Sequence, residues 1–190
     1  MSGVLGLVLA AGAGVRMGTP KALLYDDEGR SFLERSVAAL REGGCDDVLV
    51  VLGAEAEQAA SLLDGEADVV VAEDWAEGMG ASLRAGLTAA GRTEASCALV
   101  TLVDLPDVGA PVVERMLRET DVGEEGLARA SYDGLPGHPV VLGRVHWVGV
   151  VASARGDRGA RDYLREHPPR DVECGDLATG RDVDTPEQLR

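Results

Sequence analysis

Within one short stretch, Leu9-Ala10-Ala11-Gly12-Ala13-Gly14-Val15-Arg16-Met17-Gly18-Thr19-Pro20-Lys21, the sequence joins three glycines to two cations. Glycines let a backbone approach a phosphate closely and turn N–H groups toward it, and Arg16 and Lys21 add charge beside those donors. The chemistry this suits is phosphate binding. A dinucleotide fingerprint would require glycine at position 17, where Met17 stands, and a P-loop would require Gly-Lys-Ser/Thr, where Gly18-Thr19-Pro20-Lys21 stands. An NAD(P)- or flavin-binding oxidoreductase is therefore the weaker reading. A glycine-rich turn with incidental cations is the bland one. Lys21 is the chain's single lysine against seventeen arginines, and Ile and Asn are absent, which points to a GC-rich genome. A site needing a compact, mobile ammonium would resist that drift toward Arg.

Carboxylates supply the complementary chemistry. The apolar run Ala98–Val103 ends in Asp104, at a strand end where one carboxylate suits Mg²⁺ shared with phosphate oxygens. The alternative for Asp104 is a turn acid before Pro106, and Asp107, beyond that proline, reads as a helix-start acid. Asp182 and Asp184 flank Val183 at a period of two, which puts both on one side of an extended segment. Asp184-Thr185-Pro186-Glu187 is equally a good cap sequence. Gly78-Met79-Gly80-Ala81-Ser82 precedes a helical stretch and could hold an anion at the helix N-terminus, or Ser82 could simply be its N-cap. His138 stands in a Gly-His-Pro loop, where a histidine is more often structural than catalytic.

These residues need a scaffold. Strand-like runs at Val4–Ala10, Asp47–Leu52, Asp68–Ala72 and Ala98–Val103 are nearly continuous in Val, Leu and Ala, as in parallel strands buried on both faces. Helical stretches are expected at Phe32–Arg41, Ala54–Leu63, Ala81–Ala90, Pro111–Glu119, Val145–Ala154 and Asp157–Glu166. Further strands are expected at Leu127–Tyr132, Pro139–Leu142 and Asp171–Cys174, with Asp133–His138 as a loop. Alternating strands and helices predict an α/β fold with a doubly wound, mostly parallel sheet. A small antiparallel insertion is expected at one edge, all within one domain over residues 1–190.

Composition narrows the partners. A net charge of −15 opposes binding to nucleic acid or anionic lipid, so an anionic substrate must be met by a local cluster of positive groups. Cys45, Cys97 and Cys174 form no CxxC pair and suggest neither a zinc site nor a disulfide framework. No run approaches the ~20 apolar residues of a membrane span. A reducing cytoplasm is the expected setting.

The first loop, in the form Leu9-Ala-Ala-Gly-x-Gly-x-Arg-Met-Gly-x-x-Lys21, resembles the signature of the MobA-like nucleotidyltransferases, and among them most resembles the molybdenum cofactor cytidylyltransferases. Four further segments agree, in the family's order: Trp75–Leu83, Leu102–Pro106, Gly137-His-Pro139 with Gly156–Arg161, and Asp182–Glu187. The resemblance implies transfer of a nucleotide from an NTP, with CTP favoured, onto a phosphorylated acceptor, molybdopterin, with Mg²⁺ and release of pyrophosphate. A sugar- or polyol-phosphate acceptor on the same fold is the nearest alternative. The resemblance gives Arg16 and Lys21 to catalysis. It gives Leu9, Ala10, Ala11, Gly12, Gly14, Lys21, Gly80, Ser82 and Asp104 to the nucleotide. Gly78, His138 and Asp182 fall to the acceptor, and Asp104 and Asp184 to the metal. Ala11 matches the cytidine-using form, where guanosine users tend to carry Gly, and Asp in the 182–187 segment, where they tend to carry Asn, points the same way. A molybdoenzyme or its chaperone would be the partner that receives the product.

Overall fold

The computed structural model describes residues 3–185 and 188. Seven strands form one sheet: β1 Val4–Ala10, β2 Asp47–Leu52, β3 Asp68–Val71, β4 Cys97–Leu102, β5 Leu127–Tyr132, β6 Leu135–Gly143 and β7 Arg170–Glu173. Their order is β3-β2-β1-β4-β6-β5-β7. β3, β2, β1 and β4 run parallel, β6 is antiparallel to β4 and β5, and β7 is parallel to β5. The helices are α1 Phe32–Glu42, α2 Ala56–Ala60, α3 Met79–Ala90, α4 Ala110–Glu119, α5 Arg144–Ser153 and α6 Arg161–Glu166.

Strand β1 shows why the sheet is doubly wound. All seven of its residues are buried, and its side chains alternate between two apolar layers. Val4, Val8 and Ala10 join the layer containing Phe32, Leu33, Val37 and Leu40 of α1 and Met116 of α4. Leu5, Leu7 and Leu9 join the layer containing Leu83 and Leu87 of α3 and Trp147 and Val150 of α5. At the start of α1, Ser31 accepts from the Glu34 N–H at 3.1 Å while the Glu34 carboxylate accepts from the Ser31 N–H at 2.8 Å, a complete capping box. On the other side, a Cβ at Gly86 would come within about 2.9 Å of Leu7 and Val51, so this glycine lets α3 lie close to the sheet.

Several expected bounds shift. The antiparallel element is not an edge insertion: β6 lies between β4 and β5, and the edge strand β7 is parallel to its neighbour. The expected loop Asp133–His138 is only a tight turn at Asp133-Gly134, with φ of 52° and 76°, from which β6 departs at Leu135. Helix α2 is shorter than expected. In place of one helix from Asp157 there is a 3₁₀ turn, Gly156–Arg158, and then α6.

Candidate active site

β1, β2 and β4 all end on one side of the sheet, and there Leu9, Ala10, Ala11 and Gly12 lead into a crevice of about 220 Å³. An open α/β sheet places its ligand outside the carboxyl ends of its strands. Gly14, Lys21, Gly78, Ser82 and Asp104 also line this crevice. Five lining residues lie in the segments that carry the resemblance but had no individual role in the sequence reading: Trp75, Met79, Leu102, Val103 and Asp157.

The glycine loop is held by its own turn. Met17 and Gly18 both donate backbone N–H groups to the Gly14 carbonyl at 2.9 Å. Gly14 has φ of 60°, and a Cβ there would come within 1.8 Å of the Thr19 carbonyl oxygen, so only glycine fits. At Gly12, by contrast, a Cβ would meet no protein atom within 4 Å. That room is available to a ligand. Gly78 and Gly80 are different: added side chains would strike Asp157, Arg155 or Gly156, so these glycines seat the 155–157 loop against the start of α3. Gly80 does not line the crevice. Nor is Ser82 an N-cap, because α3 begins at Met79, behind Gly78.

Lys21 is the organising charge. Its Nζ donates to Asp104 Oδ2 at 2.7 Å and to Asp184 Oδ1 at 2.5 Å, and only 17% of the lysine side chain is exposed. Burial works against its charge, but bonds to Asp104 and Asp184 outweigh it and raise the ammonium's pKa above the ordinary lysine value. The hydrogen bond from Lys21 likewise lowers the Asp184 pKa. Arg16 pairs with Asp184 Oδ2 at 2.7 Å, yet its side chain is largely exposed and stands at the rim.

The segment carrying Asp184 is fixed by the backbone. Buried Val183 donates its N–H to the Asp104 carbonyl at 2.9 Å. Asp107, expected to start a helix, instead accepts from the N–H and hydroxyl of Thr179, both at 2.6 Å. These ties bring carboxylate oxygens of Asp104, Asp182 and Asp184 within 4.8 Å of one another. Asp182, expected at the acceptor, thus stands with the metal candidates. One further observation bears on a cation: Asp104 Oδ1 is buried and accepts no hydrogen bond from the described residues. An orphaned carboxylate oxygen amid hard oxygen donors fits Mg²⁺ or Mn²⁺. Of the expected cap sequence, Pro186 and Glu187 lie outside the described residues.

His138 lies on β6 two residues past the last β4–β6 pair, Val100↔Val140, and so toward the crevice edge, although it does not line the crevice. Its ring is partly accessible but densely surrounded. Burial first, and the Arg161 charge second, press its pKa from 6.5 to about 4. The imidazole is therefore neutral at pH 7. A group whose folded pKa is depressed below 6.5 adds stability that is full above that value and is lost as pH falls toward 4. In denaturant melts from pH 7 to 5, His138→Gln is expected to lose less stability than the wild type. Equal losses would contradict this reading.

Comparison with known proteins then places the scaffold. Residues 6–172 match the family described as MobA-like NTP transferase domain. A protein named nicotine blue oxidoreductase, from Paenarthrobacter nicotinovorans, is 39% identical, with 98% of this chain and 94% of that protein covered. A probable molybdenum cofactor guanylyltransferase from Opitutus terrae is 29% identical over 86% of this chain and 78% of that protein. The crystal structure of Rv0371c from Mycobacterium tuberculosis superimposes with a TM-score of 0.81 at 28% identity, covering all of this chain and 96% of that one. A structure of the same protein in complex with manganese gives 0.77 at 27% identity, covering 99% and 98%. None of the described helices is long and apolar enough to cross a membrane. With the strand-end crevice, the glycine loop and the matched family in register over most of its length, the chain belongs to the MobA-like NTP transferase domain family, a family of nucleotidyltransferase enzymes.

Proposed function

We propose that this enzyme transfers CMP from CTP to the phosphate of molybdopterin, with Mg²⁺, and releases pyrophosphate. The observation that supports it most is the Lys21 bridge between Asp104 and Asp184 on a strand-end crevice, with Asp104 Oδ1 left buried without a donor. An acceptor phosphate oxygen forms the new bond to the α-phosphorus, the α–β bridging P–O bond breaks, and the electron pair leaves with pyrophosphate. A phosphate monoester is already anionic, so no protein nucleophile or base is required. Asp104 and Asp184, with Asp182 beside them, would hold Mg²⁺, which when bound neutralises charge on the triphosphate. Gly12 and Gly14 give the phosphates close approach to the backbone. Lys21, with Arg16 at the rim, supplies positive charge where negative charge builds. The neutral His138 would offer the acceptor a hydrogen bond and no charge.

Ala11 supports CTP over GTP. It is 3% exposed at the end of β1, and its carbonyl accepts from the Ala54 N–H at 3.0 Å, so its methyl is fixed beside the crevice. A fixed methyl there narrows the base pocket against a purine. In a competition binding assay with Mg²⁺ present, CTP is expected to displace GTP. Ala11→Gly should narrow that preference by about tenfold, the scale of one methyl-sized difference in a pocket. Preferential GTP binding would reverse the assignment toward guanylyl transfer, the activity in the Opitutus relative's name.

The Paenarthrobacter relative's name favours a second reading, in which the same scaffold carries a redox reaction. The loop lacks a glycine at Met17 for a dinucleotide turn, and the Asp104–Lys21–Asp184 group suits a metal-bound triphosphate. Oxidation of NADH or NADPH by the purified protein would favour the redox reading.

A further inference from the structure

We propose that Asp157 and Trp75 form a ring-reading subsite in the crevice, selective for a planar heterocycle that presents an N–H and an amino group side by side. This rests on the reading of the crevice as a nucleotide and acceptor site. Both residues line the crevice, and both border Gly78. The Gly78 N–H donates to the Trp75 carbonyl at 3.1 Å, and a Cβ at Gly78 would come within 2.4 Å of Asp157 Oδ1. The carboxylate therefore lies against the glycine that links the indole to the start of α3.

The loop that presents Asp157 is built for placement. Gly156 and Gly159 bracket it at φ of 48° and 53°, and the Arg155 and Gly156 backbone fills the space beside Gly80. The neighbouring guanidinium groups are engaged elsewhere, Arg158 on Asp162 at 3.0 Å and Arg155 on the Ala154 carbonyl at 2.8 Å. Among the described residues, none donates a hydrogen bond to the Asp157 carboxylate or pairs with it. Asp104 also lines the crevice, but its Oδ2 is tied to Lys21 and its Oδ1 is buried, whereas the Asp157 carboxylate is exposed to the crevice with both oxygens free to accept.

Two parallel N–H donors match a carboxylate's two oxygens, and an indole offers a flat ring a stacking face. The edge with that donor pair is the 2-amino-4-oxo pyrimidine ring, common to pterins and to guanine. Cytosine presents one amino donor beside two acceptors and would gain less. Two sources thus share the chemistry, a pterin acceptor and a guanine base.

Equilibrium binding to the full chain with Mg²⁺ present separates them. One arm compares pterin with lumazine, which lacks the 2-amino group, and the other compares GTP with ITP, which lacks it likewise. Wild type is expected to prefer the amino-bearing member of at least one pair by about tenfold, as a bidentate contact implies. Asp157→Asn, whose amide would oppose one of the two donors, should erase that preference, with an unchanged melting temperature showing that the fold is kept. Loss in the pterin arm assigns the subsite to the acceptor, and loss in the GTP arm assigns it to the base. No preference in wild type, or a preference unchanged in Asp157→Asn, overturns the proposal. A separate CTP titration of wild type tests the nucleotide reading alone, since absence of CTP binding contradicts that reading whatever the two pairs show.

Discussion

Replacing Lys21 with alanine is expected to lower kcat by about 10²–10³, the usual cost of losing one preorganised charge at a reacting centre. KM for the nucleotide should rise much less. The ammonium sits 2.7 Å from Asp104 and 2.5 Å from Asp184, with five-sixths of its side chain out of solvent. From there it can swing toward a departing phosphate while the carboxylates turn to a metal. Lys21→Arg should recover only part of the loss, because a planar guanidinium needs more room and a fixed bidentate partner. Steady-state kinetics on both variants decide the matter. A Lys21→Arg enzyme equal to wild type would mean that charge alone suffices, and that the lone lysine is an accident of composition.

Asp104→Asn is expected to be costlier still, reducing turnover toward background by 10³ or more, the order of losing a principal electrostatic contact. The substitution is nearly isosteric and leaves the backbone bond from Val183 to the residue-104 carbonyl in place, so the fold should survive. What it removes is the anionic charge of the carboxylate whose buried oxygen has no donor among the described residues. Mn²⁺ binding, followed by electron paramagnetic resonance without substrate, should weaken in parallel. Full activity in Asp104→Asn, or unchanged Mn²⁺ affinity, would contradict the metal assignment.

The centre of the parallel half is legible because β1 and β2 are buried on both faces: they read as nearly continuous apolar runs, and their bounds agree with the structure, whereas the edge strand β3, expected to be buried likewise, is largely exposed. The second half is less so. Pro136 and Gly137 argue against a strand, so the sequence starts this strand only at Pro139, yet both lie within β6. The Asp133-Gly134 pair was the available hairpin signal. In the site, the glycine loop, Lys21 and Asp104 stand out through residue type and place alone. Trp75 and Asp157 do not, because their meeting depends on how the 155–157 loop seats on Gly78 and Gly80, a contact between segments far apart in sequence. The same holds for Asp107, whose sequence context suggested a helix start and whose partner, Thr179, lies 72 residues away.

The most direct test of the central claim is pyrophosphate release from each of the four NTPs, with Mg²⁺ and molybdopterin, set beside NADH and NADPH oxidation by the same preparation. Nucleotidyl transfer predicts pyrophosphate release that needs both the acceptor and the metal, runs fastest with CTP and is lost in Lys21→Ala. Pyridine nucleotide oxidation with no pyrophosphate from any NTP would contradict it.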